Sequence, residues 1–441
     1  MKMKNIISLM LFIVLAVPLS AGAEEIIKEG ELLNLQRCIE LAVIRHPTIL
    51  AGQNNVSASQ SRVGQARSNY YPQIDLSGSY SRIKPVTGAQ RLVSTGIDGT
   101  SAANVTKSFD QFSGSVSLSQ NIWDFGRTSS QVDIQRFNLD ASSSNLETTI
   151  EQVVFNVKQA YYGVLRAQRN RIVAQDTVKQ FHLHLDQAKA FYEVGTRAKY
   201  DVTKAEVDLS NAKLALIRSE NTLKVSKVTL NNTMGVPDAP DYAVEDNLAY
   251  EKYEIALPQA IETAYKNRPD LKAAVATSRS FERSIDSAKT GYYPFLTGNA
   301  QYDRSDTTFF PSGEGWSAGV ALTFPIFNGF LTKNQVEEAK ANLGVAKANE
   351  ETLRQSILLD VQQAYLDLVV AGESISNTGL TVKQATENLD IANGRYAAGV
   401  GNPIEVSDAE VSLAVAKTAY NQALYDYKVA RASLERAMGV R

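Results

Sequence analysis

Residues suited to redox or metal chemistry are scarce in this sequence of 441 residues, which contains one cysteine and three histidines. A single cysteine excludes a disulfide bond within the chain. His182 and His184 lie two positions apart, so on a helix they point to different faces and do not suggest a metal site. No serine or cysteine nucleophile motif is recognisable, and we therefore expect neither an enzyme nor a bound cofactor.

An excess of charge of one sign is also lacking, because 45 lysine and arginine residues stand against 47 acidic residues. Both signs are mixed along the chain and no basic stripe is present, so nucleic acid is not an expected partner.

Long apolar runs are confined to the beginning of the chain. Lys2 and Lys4 precede a short apolar stretch, which ends at the small residues of Ala21-Gly22-Ala23. This pattern predicts a secretory signal peptide over residues 1–23. Cys38 lies inside the mature chain and not at the cleavage point, so we expect no lipid anchor there. The remaining sequence offers no transmembrane helix, and the mature chain is predicted to be either soluble or a β-barrel.

One large sequence unit occurs twice, and this duplication organises the whole mature chain. The predicted repeats span residues 24–236 and 255–441 and are separated by a linker at 237–254. The recurring motifs keep their order in both copies. They are Leu35-x3-Ile39-Glu40-x-Ala42-x4-Pro47 with Leu257-x3-Ile261-Glu262-x-Ala264-x4-Pro269, Tyr70-Tyr71-Pro72 with Tyr292-Tyr293-Pro294, Ile122-Trp123-Asp124 with Ile326-Phe327-Asn328, and Met234-Gly235-Val236 with Met438-Gly439-Val440.

Each repeat contains two runs in which apolar and small polar residues alternate. In the first, Ile74, Leu76 and Tyr80 alternate with aspartate and serines. Alternation over about ten residues is typical of a transmembrane β-strand, but it is more common in soluble hairpins that bury one face, so the strands alone favour the soluble interpretation. The pattern predicts hairpins at about 72–122 and 294–326.

Long stretches with heptad spacing follow the hairpins and predict coiled-coil helices. The predicted long helices span about 125–191 and 331–394, and the predicted return helices span about 200–234 and 404–438. A helix of the first of these lengths would extend over about 100 Å.

Two hairpins supply four strands, which are too few to close a barrel in a membrane, where an open sheet edge is not tolerated. Two chains would supply eight strands, and side chains fill the interior of a barrel of that size. Three chains would supply twelve strands and leave a water-filled lumen. A cyclic trimer is therefore expected if the strands lie in lipid.

The duplicated motifs, the hairpins and the paired helices together resemble the TolC-type outer-membrane efflux family over essentially the whole mature chain. The resemblance implies a mainly α fold with a small β part: a trimeric α-helical barrel crossing the periplasm, joined to a shared twelve-stranded β-barrel in the outer membrane. It also implies partners, namely a periplasmic membrane-fusion adaptor and an inner-membrane pump or ABC transporter of efflux or type I secretion.

In this family the turns between the long and return helices form the periplasmic end. The resemblance implies that the turn residues meet the adaptor. These residues are Val194, Gly195 and Thr196 in the first repeat and Ala398, Gly399 and Val400 in the second.

The resemblance further implies gating residues beside these turns. In a trimer, Asp201, Glu405 and Asp408 are each expected to form a ring of three carboxylates. Such charged rings select ions. Relatives hold the entrance closed with an arginine in the second turn, where this chain has Gly401. We therefore predict that Arg197, from the first turn, pairs with Glu405 or Asp408, and that Tyr396 keeps the tyrosine position of the latch. The alternative function is a periplasmic coiled-coil scaffold without a pore.

Overall fold

The computed structural model describes residues 27–84, 91–93, 101–103 and 108–440. The predicted signal peptide lies outside these residues, as do parts of the predicted first hairpin between positions 84 and 108. In the described part helices dominate and strands are few, which confirms the predicted mainly α fold with a small β part.

Both repeats contain the same succession of two short helices, a β-hairpin, a long helix and a return helix. The first repeat contains β1 (Leu32–Leu33), α1 (Leu35–Arg45), α2 (Pro47–Arg67), β2 (Gln73–Ile83), β3 (Arg91–Val93), β4 (Ser101–Ala103), β5 (Phe109–Trp123), α3 (Arg127–Glu193) and α4 (Lys199–Met234). The second contains β6 (Ala243–Val244), α5 (Leu257–Asn267), α6 (Pro269–Lys289), β7 (Phe295–Asp306), β8 (Gly313–Thr323), α7 (Leu331–Ala397) and α8 (Pro403–Ala437). The long helices α3 and α7 have 67 residues each.

The repeated Met-Gly-Val motif ends each return helix and packs it against a junction of two short helices. Gly235 has φ 72° and Gly439 has φ 66°, a left-handed conformation that favours glycine. A Cβ atom at Gly235 would lie 2.9 Å from the Cα atom of His46, and one at Gly439 would lie 2.8 Å from the backbone nitrogen of Arg268. Glycine is therefore required twice, because the backbone of each return helix closely approaches the start of α2 or α6.

The two hairpins form one antiparallel sheet in the order β2-β5-β7-β8. Its register separates two chemically different faces. One face carries a row in which Leu76, Val116, Tyr302 and Trp316 are successive cross-strand neighbours. The other face is rich in serine, with cross-strand Oγ–Oγ distances of 2.7 Å between Ser77 and Ser115 and between Ser79 and Ser113.

The helices form a wall in which sequence neighbours and repeat neighbours alternate. Each long helix and its return helix form a helical hairpin, whose turn we call its tip. Near these tips the order of the helices is α4, α3, α8 and α7, and near the sheet it is α2, α3, α6 and α7. The main core lies between these two levels and gathers apolar side chains from both repeats around Tyr161 and Leu434. Within the described ranges, no helix combines the length and apolar character needed to cross a membrane.

Candidate functional site at the tips of the helical hairpins

Two similar turns connect the helices of each hairpin at one end of the molecule. Gly195 and Gly399 adopt left-handed φ angles of 76° and 78°, which let each long helix end and the chain reverse. In the first turn, the backbone N–H of Thr196 donates to the Phe191 carbonyl at 3.0 Å. In the second, the Val400 N–H donates to the Arg395 carbonyl at 3.1 Å. The six predicted adaptor-contact residues are all exposed, and they are Val194, Gly195, Thr196, Ala398, Gly399 and Val400.

Arg197 joins the first turn to the second, although not through the predicted ion pair. Its Nη2 atom donates to the main-chain carbonyl of Gly401 at 2.9 Å and lies 3.4 Å from that of Gly399. Within the chain, the predicted pairing of Arg197 with Glu405 or Asp408 was therefore wrong. The second turn offers two outward carbonyl groups closer to the guanidinium, and turn carbonyls could not be recognised as acceptors from side-chain identities.

Gly401 is required by the packing of the second turn. A Cβ atom at this position would lie 2.7 Å from the backbone nitrogen of Tyr396 and 2.8 Å from the carbonyl carbon of Arg395. Real Cβ atoms do not approach backbone so closely, so the end of α7 excludes any larger residue. Position 401 has no room for a side chain. The arginine that contacts this turn is Arg197 of the first repeat.

Tyr396 is the centre of the contact between the two hairpins and is fully buried. Its ring lies 5.1 Å from the His184 ring and 5.6 Å from the Phe191 ring, measured between centroids. The Arg197 guanidinium lies 5.4 Å from the same ring. Burial, and secondarily the charge of Asp201, raises the pKa of Tyr396. The end of α7, the first turn and α4 thus bring Tyr396, Arg197 and Asp201 together.

The other two predicted gating acids lie apart from this cluster. Glu405, in the first turn of α8, accepts from the Nε atom of Arg395 at 3.3 Å. Arg395 is in the last turn of α7, so this pair connects the two helices of one hairpin and does not link the repeats. Asp408 is exposed on α8.

A bridge between the repeats escaped the sequence reasoning. Lys204 donates from Nζ to both carboxylate oxygens of Asp208 at 2.6 Å, and the Ser407 hydroxyl donates to Asp208 Oδ2 at 2.7 Å. The buried His184 lies next to this bridge, and burial lowers the pKa of His184 while the charge of Asp208 opposes that shift. The one signal in the sequence that indicates the burial of His184 is its position. His184 directly precedes Leu185, which lies on the apolar seam of α3.

The structure also buries an acid, Glu410, whose counterpart in the first repeat, Glu206, is exposed. Burial raises the pKa of Glu410 from 4.5 to about 7. In the folded chain the protonated form is therefore favoured. The resulting stability is fully present below pH 4.5 and is lost as the pH rises towards 7.

Glu410→Gln should therefore flatten the pH dependence of thermal stability. The wild-type melting temperature should fall between pH 4.5 and 7, reflecting a loss on the order of 3 kcal/mol in unfolding free energy per subunit. The measurement is the melting temperature of purified protein across this range. Glu40→Gln, at an exposed position of α1 away from the ends of the helical wall, is the control and should keep the wild-type slope; equal slopes in both variants would contradict the assignment.

Among residues 27–84 and 108–440, histidine, cysteine and acidic side chains do not gather in groups of three or more that could hold a metal ion. The arrangement at the tips instead brings together hydrogen-bond donors, carbonyl groups and aromatic rings. It is suited to holding two helical hairpins together.

Comparison with known proteins places this architecture in a family. The model of the outer membrane efflux protein family matches residues 38–236 and 260–440, which correspond to the two repeats. Protein CyaE of Bordetella pertussis is 26% identical over 384 residues, covering 86% of this chain and 78% of CyaE. Outer membrane protein TolC of Escherichia coli is 24% identical over 425 residues, covering 92% of this chain and 82% of TolC.

A solved structure shares the fold at lower sequence identity. The Campylobacter jejuni CmeC outer membrane channel superposes with a TM-score of 0.76 at 18% identity, covering 92% of this chain and 85% of that chain. The family match extends over both repeats, and the fold agrees throughout. The chain therefore belongs to the outer membrane efflux protein family and is an efflux channel of the outer membrane.

Proposed function

We propose that three copies of this chain form a passive exit duct for efflux or type I secretion. Their sheets close into one twelve-stranded barrel in the outer membrane, and their helices enclose a tunnel through the periplasm. A periplasmic adaptor docks at the hairpin tips, and an inner-membrane pump or ABC transporter supplies the energy. One observation carries the proposal. Inside one chain the two repeats contact each other through α3 and α8, and the equivalent helices α7 and α4 at the two ends of the helical wall expose the corresponding surfaces.

The helical wall of one chain ends in two helices with apolar stripes. At the tip level α4 and α7 are the outermost described helices. Each exposes large apolar side chains on the face turned away from its own hairpin partner. These residues are 41–66% exposed and comprise Val207, Leu214, Ile217, Val225 and Val228 on α4 and Leu359, Leu366, Val369, Val370, Leu380 and Ile391 on α7. Apolar stripes with helical spacing are typical of coiled-coil contacts, so each end of the wall fits another helix.

The duplication indicates how these ends fit together. Within the chain, Asn421 of α8 donates to Asn170 of α3 at 2.9 Å. In the repeat alignment Asn421 corresponds to Ile217 of α4, and Asn170 corresponds to Ser374 of α7. We therefore assign Ile217 of one subunit as the neighbour of Ser374 in the next subunit. This contact repeats around the ring until the wall closes.

The sheet supports closure in the same way. Among the described strands of this sheet, β2 and β8 are the edges, and β5 already pairs with β7 of the other repeat. Pairing β8 of one subunit with β2 of the next repeats this arrangement and removes the open edges, which lipid does not tolerate. The apolar face then meets lipid, and the serine-rich face encloses water.

Aromatic side chains support the position of the lipid. At one end of the apolar face, the Tyr80 and Phe112 ring centroids are 4.9 Å apart. At the other end, the rings of Phe125 and Tyr293 stack at 5.4 Å. Outer-membrane barrels carry such aromatic girdles at both water interfaces. The apolar residues between these two levels are accordingly assigned to the bilayer.

The entrance is assigned to the hairpin tips. Arg197 and Tyr396 hold the second hairpin against the first, with Asp201 beside them. In a trimer, Glu405 and Asp408 form rings of three carboxylates that favour the entry of cations. Opening requires the second hairpin to move away from the first, and that movement breaks the contact between Arg197 and the Gly401 carbonyl.

Arg197→Ala tests this assignment. Losing a charged hydrogen bond to the second turn removes about 1.5–3 kcal/mol per subunit from the closed state. We therefore expect a larger open-channel current in single-channel recordings in planar bilayers. Lys199→Ala, which removes the same charge from an exposed position two residues away, is the control and should leave the current close to that of the wild type. Equal currents in both variants would refute the latch.

A further inference from the structure

The bridge of Lys204, Asp208 and Ser407 connects α4 of the first hairpin to α8 of the second. It lies seven to eleven residues beyond Arg197 on the first hairpin, or about 10–16 Å along the helix. Asp208 accepts from Lys204 on its own helix at 2.6 Å and from the Ser407 hydroxyl on the other hairpin at 2.7 Å. Ser407 is therefore the member that links the two repeats.

The burial of this bridge distinguishes it from a solvated surface pair. The Asp208 side chain is only 11% exposed, and Ser407 is 5% exposed. A carboxylate in such surroundings requires hydrogen-bond donors, because an unsatisfied buried charge is costly.

The bridge borders a groove between the helices of the two hairpins. Asp208 lines a space of about 730 Å³ between α3, α4 and α8, whose other walls include Ala212, Val411 and Val415. Polar residues such as Asn170 and Asn211 line the same space, and the hydrogen bonds that Asp208 itself accepts from the other residues of the bridge come from Lys204 and Ser407. Moving Ser407 away therefore removes the donor from the other hairpin and leaves Asp208 with Lys204 on its own helix.

We propose that this bridge is a second restraint on the entrance, in which Lys204 and Asp208 position the Ser407 hydroxyl and hold α8 against α4 independently of Arg197. The inference rests on the proposed function, in which the entrance opens when the second hairpin moves away from the first. If both restraints must break before the entrance opens, their free energies add, and the factors by which they favour the closed state multiply. Loss of one hydrogen bond to a charged group shifts such an equilibrium about tenfold per subunit.

The test combines Ser407→Ala with Arg197→Ala. Ser407→Ala removes the link between the repeats and leaves the Lys204–Asp208 pair intact. In the Arg197→Ala background, we expect Ser407→Ala to shift the closure equilibrium about tenfold per subunit towards the open state. Single-channel recordings of purified trimers should show this shift as a higher open probability. Ser407→Thr retains a hydroxyl and should restore closure.

The matched control is Ser210→Ala. The Ser210 hydroxyl donates to the Glu206 carbonyl on its own helix at 2.8 Å and does not join the hairpins. If the Arg197→Ala, Ser407→Ala variant has both the same open probability and the same separation of the hairpins as the Arg197→Ala, Ser210→Ala variant, the proposed restraint is overturned.

A distance measurement separates this proposal from the proposed function. Spin labels at the exposed positions Lys213 of α4 and Ser412 of α8 report the separation of the hairpins by electron paramagnetic resonance. A longer distance in Ser407→Ala without a change of current supports the restraint and contradicts the assignment of the entrance. Unchanged distances in Ser407→Ala, with or without Arg197, overturn the restraint itself.

Discussion

Mild oxidation of an Ile217→Cys, Ser374→Cys double variant should convert the protein into a covalently closed trimer. Each subunit contributes one cysteine to each of its two neighbours, so three disulfide bonds complete the ring. On a non-reducing denaturing gel we expect the monomer band to be replaced by a trimer band, which reductant reverses. The native Cys38 is buried and does not compete for oxidation.

The expectation follows from the internal duplication. Asn421 and Asn170, the counterparts of the two substituted residues, contact each other directly within the chain. Equivalent positions at the outer edges of the wall must then come close enough for a disulfide, which requires Cα atoms within about 7 Å. Ile217 is 63% exposed in one chain, and closing the ring removes this apolar surface from water.

An off-register pair provides the control. Leu359 is exposed on the same stripe of α7, but it lies fifteen residues before Ser374, about 22 Å further along the helix. The Ile217→Cys, Leu359→Cys variant should therefore remain monomeric on the same gel. Efficient cross-linking in both variants, or in neither, would contradict the proposed contact between subunits.

A tryptophan at either tip glycine should abolish adaptor-dependent export while leaving the trimer intact. A Cβ atom built at Gly195 or Gly399 meets no atom within 4 Å, so the bulky ring projects outwards, where the adaptor is expected to dock. Export is measured as the resistance or secretion of a strain that carries the cognate adaptor and transporter. Trimer assembly is measured separately on unheated gels.

Alanine at the same positions separates bulk from backbone strain. The φ angles of 76° and 78° are unfavourable for any side chain and cost roughly 1–2 kcal/mol. Gly195→Ala and Gly399→Ala include this strain without the ring and should retain most of the export. Normal export by the tryptophan variants would show that the tips are not the docking surface.

Much of the fold was predictable because its signals are local. The alternation at Ile74, Leu76 and Tyr80 indicated a strand, and the structure has β2 at Gln73–Ile83. Heptad spacing indicated the long helices, and α7 begins at Leu331, as predicted, but ends at Ala397, three residues beyond the predicted bound. Such ends depend on turn geometry around Gly399, which periodicity alone does not report.

The candidate site was only partly predictable. The resemblance brought Arg197, Asp201 and Tyr396 to attention, and the structure gathers them at the tips. The pairing of Arg197 with an acid was inferred from the arginine that relatives carry in the second turn, whereas in the structure Arg197 donates to the main-chain carbonyl of Gly401. Ser407 and Asp208 belong to different repeats and are distant in sequence, so no local pattern could indicate their contact.

By itself the sequence determined the order of the elements, their duplication and the membership of the family, because periodicity, glycine positions and repeated motifs are properties of local segments. The differences between the two copies arise from their packing in three dimensions. At the tip level α8 lies between α3 and α7, whereas α4 ends the wall. Within one chain, Glu410 on α8 is therefore buried, while its counterpart Glu206 on α4 is exposed.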